Sequence, residues 1–169
     1  MLSLLNQSNT VSLILNILVA LIAVSAMNGL VFGLGWNKAI QPIPKSFLAP
    51  PKYLIGTVWT ILFVLMATAR WQLNSNEIAT SARTWVTVLI ISCLIYPLYT
   101  LAFNNAIAAL LGNLETIALA GFVIFCVWPI SKSAALLIVP IIPWVLYASL
   151  IVIKIIVVRT TDLQDISDI

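Results

Sequence analysis

The chain contains no histidine, and only 8% of its 169 residues are charged. Without histidine it lacks the usual general base at neutral pH and the commonest ligand for metals and haem iron. No segment holds two carboxylates at general acid/base spacing, no cluster has metal-ligand spacing, and no glycine-rich loop is of the phosphate-cradling kind. The sequence therefore offers no catalytic residue, no metal site and no resident cofactor. Cysteine is scarce as well. Cys93 and Cys126 fall inside apolar runs, where a thiol behaves as a small apolar group, and two such residues make no disulfide framework. The eight basic residues stand at the ends of apolar runs, so the net charge of +3 reflects membrane flanks and implies no nucleic-acid partner.

What fills the chain instead is apolar. Hydrophobic residues make up 62% of it and the mean hydropathy is +1.13, which leaves too little polar surface to cover a water-soluble globule. Five apolar runs stand out, at residues 11–33, 51–71, 85–103, 106–128 and 133–158. A helix of roughly 20 residues crosses a hydrocarbon core about 30 Å thick, so each run is read as a transmembrane span. The expectation is an all-α membrane protein, a single-domain bundle of five transmembrane helices bathed in membrane lipid. The residues after the last span, 159–169, carry Asp162, Asp165 and Asp168 and are expected to be a polar, disordered tail. Val24-Ser25-Ala26 resembles a signal-peptide cleavage site, but no basic region precedes it and the apolar run continues beyond, so an uncleaved first span is expected.

In the first span Ser25, Gly29 and Gly33 recur every four residues, a face that lets another helix approach closely. It can serve packing inside the bundle or the seam of a homodimer. In the fourth span a helix beginning near Ala106 puts Glu115 roughly 12 Å along its axis, inside the hydrocarbon. Such a group is expected to face the bundle and find a partner, and Lys154 of the fifth span is the candidate for an ion pair. One side of the membrane receives Lys38, Lys45, Lys52, Lys154 and Arg159, the other Arg70, Arg83 and Lys132. The positive-inside tendency then puts the N-terminus outside and the first loop and C-terminus in the cytoplasm.

Trp36, Trp71, Trp85 and Trp128 stand at span ends, where indoles anchor in the interfacial belt. Trp59 and Trp144 lie well inside their helices. Trp144, Tyr147 and Ala148 share one helix face, beside carbonyls freed by Pro140 and Pro143. That arrangement suits a slot for a planar apolar ligand, and ordinary helix packing accounts for it equally.

One stretch carries a family resemblance. Pro50, Pro51, Tyr53, Val58, Trp59, Thr60, Leu62, Phe63, Met66, Ala67 and Ala69 are similar, in order and spacing, to the signature of the translocator protein (TspO/MBR) family. These proteins are also called tryptophan-rich sensory proteins. Pro140, Trp144 and Ala148 keep the spacing of that family's fifth helix, while Trp36 and Phe47 resemble aromatics of its first-loop lid. Tyr96 stands near aromatic positions of its third helix.

The resemblance implies a receptor or carrier for a planar hydrophobic molecule, a porphyrin or other tetrapyrrole first and a sterol-like lipid second. It implies a pocket lined by Tyr53, Trp59, Tyr96, Trp144, Tyr147 and Ala148, with Trp36 and Phe47 at its mouth. Porphyrin would be a ligand, and the protein would not be an enzyme. Two rival roles follow from the same residues: degradation of a bound porphyrin at the tryptophan-lined pocket, and a structural subunit that docks through its first helix without any ligand.

Overall fold

The computed structural model describes residues 2–36, 50–101 and 105–167, and every regular element among them is helical. In chain order the helices are α1 (Leu2–Leu5), α2 (Thr10–Gly33), α3 (Lys52–Gln72), α4 (Thr80–Thr100), α5 (Ala106–Val127), α6 (Lys132–Ile138) and α7 (Ile141–Ser167). Two short 3₁₀ turns, Leu73–Ser75 and Glu77–Ala79, join α3 to α4. Five stretches are long and apolar enough to cross a membrane: Thr10–Gly33, Tyr53–Ser75, Thr80–Thr100, Ala106–Val127 and Lys132–Val158. The molecule is thus an all-α bundle of five spans.

The helix ends follow from local chemistry. Asn9 accepts from the Ser12 N–H and starts α2, Asn105 accepts from the N–H groups of Ile107 and Ala108 and starts α5, and Ser131 accepts from Ala134 to start α6. Pro51 opens α3, where its missing N–H costs no intrahelical bond. Beyond α2, Gly35 adopts φ +72°, a left-handed conformation that glycine takes without strain and that turns the chain out of the helix.

The structure departs from the expected spans in three places. The third helix starts at Thr80 instead of Trp85, because the Asn76-capped turn runs straight into it and Ala79 and Ala82 are buried there. The fifth span is broken between Ile138 and Ile141, since Pro140 has no N–H to continue the ladder. The tail expected to be disordered from residue 159 continues as helical backbone to Ser167. Pro97, by contrast, is held inside α4.

Packing is uneven along the membrane normal. Helix α2 packs on α3, α3 also on α4 and α6, and α5 on α4, α6 and α7. The fifth span therefore meets α3 chiefly through its short first segment, while the long α7 lies along α5. The buried apolar residues trace the same asymmetry. They include Ala20 and Val24 on α2, Leu62, Phe63, Met66, Ala67 and Ala69 on α3, Val86, Leu89 and Cys93 on α4, Ala120, Val123 and Val127 on α5, and Ala134, Ala135, Ile138, Ile141 and Val145 on α6 and α7. All lie toward the end formed by α1 and the turns at 73–79 and 128–131. Beyond the level of Asn113, among the described residues of the five spans, only Val31, Thr100, Gly112 and Ser149 are buried.

A polar knot fastens the tight end. Helix α1 ends after one turn and leaves its last carbonyls without helical partners, and the Leu5 carbonyl accepts from Ser12 Oγ (2.9 Å), Asn16 Nδ2 (2.9 Å) and Asn74 Nδ2 (2.8 Å). The Arg70 guanidinium reaches the same carbonyl at 3.4 Å. It also donates to Asn16 Oδ1 (2.7 Å), Asn6 Oδ1 (2.9 Å) and Thr87 Oγ1 (2.9 Å). Arg83 joins through Asn74 Oδ1 at 3.2 Å. One arginine thus ties the N-terminal turn, α2, α3 and α4 together with neutral oxygens.

Candidate functional site

Helical rise shows which residues share a level. Asn113 stands 14 residues before the end of α5 and Trp144 12 residues after the start of α6, or about 21 and 18 Å from the tight end at 1.5 Å per residue. Trp59, 13 residues before the end of α3, comes to about 20 Å by the same rise. At this depth the close-packed apolar core gives way. Trp59 and Trp144 pack against the last core residues, each half-buried, and each pairs with a ring of its own helix. The centroids are 6.1 Å apart for Trp59 and Phe63, and 5.8 Å for Trp144 and Tyr147. Ala148 is half-buried on the Trp144 side of α7.

Two buried nitrogens at this level have no hydrogen-bond partner: Asn113 Nδ2 and Trp144 Nε1. The hydroxyls near them are committed to carbonyls of their own helices, Thr116 to Gly112 and Ser149 to Val145. In hydrocarbon no water makes up the loss, so each orphan donor is costly. Nothing in the sequence pattern singled out Asn113. The available signal was an amide in the middle of an apolar helix, next to the more conspicuous Glu115.

The remaining sequence-derived residues are dispersed. Tyr53 is 77% exposed and does not join Trp144. It lines an outward-facing groove of about 600 Å³ between α2 and α3, together with Phe32, Gly56 and Thr60. Tyr96 is spent on helix packing: its hydroxyl donates to the Ala109 carbonyl (3.3 Å), its ring meets Tyr99 edge-on at 5.7 Å, and both rings crowd Gly112. A Cβ at Gly112 would lie 2.7 Å from Tyr99 Oη, so glycine is what allows α4 this close. Trp36 is half-buried at the edge of the described segment, and Phe47 lies outside the described residues. Trp71 and Trp128 stand at the tight end, the Trp71 indole donating to the Asn9 carbonyl at 3.1 Å.

The expected Glu115–Lys154 pair is not formed. Glu115 lies on the outer face of α5, and both its carboxylate oxygens accept from Ser92 Oγ, at 2.9 and 3.0 Å. Axial position explains this: by a rise of 1.5 Å per residue Lys154 lies about 15 Å further from the tight end than Glu115, whereas Ser92 is level with it. An ionisable group turned toward lipid is costly at mid-depth. Glu115→Gln retains a partner for Ser92 and removes the ionisable group, so thermal unfolding in detergent or bilayer is expected to move up. A fall would show instead that the carboxylate holds α4 to α5.

Packing of Ser25, Gly29 and Gly33 inside the bundle is likewise overturned. All three are exposed, and a Cβ at either glycine would meet no atom within 4 Å. Among the described residues, this face of α2 meets no other helix.

Comparison with known proteins adds to this geometry. A model of the TspO/MBR family matches residues 10–158, which is all five spans. The chain belongs to the TspO/MBR family. Among curated TspO/MBR proteins, the tryptophan-rich protein TspO of Chlorobaculum tepidum is 29% identical over 110 residues, covering 59% of this chain and 66% of that protein. The match thus spans just under two thirds of that relative's length. No solved structure matches the chain. Family membership makes this a translocator-type, multi-pass membrane protein. Within that TspO/MBR frame, the level of Trp59, Asn113 and Trp144 is the candidate site, because there buried aromatic faces and unused donors coincide with the end of the core.

Proposed function

We propose that this TspO/MBR protein binds a planar hydrophobic ligand, a tetrapyrrole first and a sterol-like lipid second, and regulates its transport or metabolism. The observation that carries the reading is the buried Trp144 Nε1–H without a partner, beside Tyr147, where the apolar core stops. Binding is by burial of apolar area and stacking on the indole, with few polar contacts to fix orientation. The loosely packed end faces the cytoplasm in this reading. Five of the eight basic residues belong to that side, and Arg70 of the other three spends its guanidinium on the polar knot.

The test is tryptophan-fluorescence quenching of the purified protein titrated with protoporphyrin. Saturable quenching is expected, weakened about 10-fold or more in apparent Kd by Trp144→Phe, the order of one lost stacking and hydrogen-bonding group. The interfacial control Trp128→Phe should bind like the parent. Absence of saturable quenching in folded protein overturns the reading. A ligand that changes chemically in the light, dependent on Trp144, would move the assignment to porphyrin degradation.

A second role rests on a separate observation, the outward Ser25–Gly29–Gly33 face. It supports association of α2 with a partner helix, a homodimer being the simplest form. Bulky substitution at Gly29 should then disrupt assembly without touching porphyrin quenching.

A further inference from the structure

We infer that the site on α5 and α7 selects ligands bearing a hydrogen-bond acceptor, a carbonyl or carboxylate oxygen on an otherwise apolar ring system, through Asn113 Nδ2 and Trp144 Nε1. The inference rests on the ligand-binding reading above and deepens it by naming the polar end that the ligand presents. Asn113 is 3% exposed, and its Nδ2 is one of two buried side-chain polar atoms left without a partner among the described residues; the other is Trp144 Nε1. They project from two helices packed against each other, at depths that differ by about 3 Å on a rise of 1.5 Å per residue.

Both atoms are donors, so they cannot satisfy one another, and an indole N–H has no other function in hydrogen bonding. The acidic side chain on the same helix cannot serve them, because Glu115 is held by Ser92 on the outer face. What completes two buried donors in a low-dielectric site is an oxygen with free lone pairs, brought by the occupant. A ring without heteroatom substituents would fill the space and leave both N–H groups unpaired, which is how a buried polar site rejects an analogue that lacks the matching atom.

The experiment compares protoporphyrin with etioporphyrin, which has the same macrocycle but only alkyl substituents, on the purified full-length chain. The wild type is expected to bind protoporphyrin at least about 10-fold more tightly than etioporphyrin, the order of one or two hydrogen bonds in affinity. Asn113→Leu should collapse most of that ratio by weakening protoporphyrin while leaving etioporphyrin nearly unchanged. Asn113→Ala, smaller and able to fold where leucine is not accommodated, should collapse the ratio in the same way because it removes the donor without adding bulk. Protoporphyrin dimethyl ester should keep the preference, since neutral donors need an oxygen and no charge.

Equal affinity of the wild type for both rings overturns the inference while leaving the slot standing. The inference also falls, with the slot intact, if Asn113→Leu weakens both rings alike, or if the dimethyl ester behaves as etioporphyrin does. Failure of both rings to bind folded wild-type protein overturns the slot and the inference together.

Discussion

Replacing Arg70 by alanine lowers the thermal stability of the solubilised protein by roughly 3 kcal/mol, the scale of several charge-assisted hydrogen bonds lost from a partly buried site. For a chain of this size that corresponds to a fall of about 6–12 °C in Tm, at 2–4 °C per kcal/mol. The reason is geometric. One planar guanidinium donates to Asn16, Asn6, Thr87 and the Leu5 carbonyl, which belong to the N-terminal turn, α2 and α4. Removing it leaves the Asn16 carbonyl without its 2.7 Å donor and frees the turn before α2. Arg70→Lys should recover less than half of the loss, because an ammonium is a single point of donation and cannot span acceptors on three elements. Amide exchange over residues 2–9 should accelerate in both variants while the α5–α7 contact keeps its protection. Equivalence of Arg70→Lys and wild type would show that charge alone is required there.

Phe63→Ala has the second large effect, and it links stability to the site. Phe63 is 2% exposed in the core of α3, and its ring stands 6.1 Å from that of Trp59. In water-soluble cores truncation of a buried phenylalanine costs about 3–5 kcal/mol, part of it the transfer of apolar area from water. Here the alternative environment is lipid, as apolar as leucine, so the packing and cavity terms remain and about 2–3 kcal/mol is expected. The void lies directly beneath Trp59. Trp59 loses the ring that fixes its orientation, so porphyrin quenching should weaken along with the melting temperature. Phe63→Leu should retain most of the stability and lose part of the quenching. If Phe63→Ala melts lower but quenches normally, Trp59 takes no part in binding.

The two predictions probe opposite ends of one construction. Toward the N-terminal side the bundle is closed by small and apolar residues, with Ala69, Ala79, Ala82, Ala134 and Ala135 letting α3, α4 and α6 approach, and by the arginine-centred knot. Toward the other side α7 follows α5, and the interior above Trp59 and Trp144 holds few buried residues. A rigid base under a looser mouth suits a site that admits a ligand from the membrane or from one aqueous face. The outward face of Gly29 and Gly33 lies on α2, away from α5 and α7, so partner docking and ligand binding need not compete.

The number and placement of the spans were legible in the sequence, because a bilayer sets a minimum apolar length and five runs meet it. Two starts were legible too: α5 begins at Ala106 and α3 directly after Pro51, where the fourth and second apolar runs were placed. Family kinship was written in the stretch from Pro50 to Ala69, where residue order carries it independently of any fold. Rotation of each helix about its own axis was decided only by tertiary packing. In a water-soluble helix the polar face marks the outside, but lipid and protein interior are equally apolar, so the sequence pattern does not say which side turns in. That is why Glu115 turns toward lipid with Ser92, why Ser25, Gly29 and Gly33 face outward, and why Tyr53 sits in an outer groove. It is also why Asn113 gains its meaning only once α7 is packed against its helix, leaving its amide and the Trp144 indole buried at one level without partners.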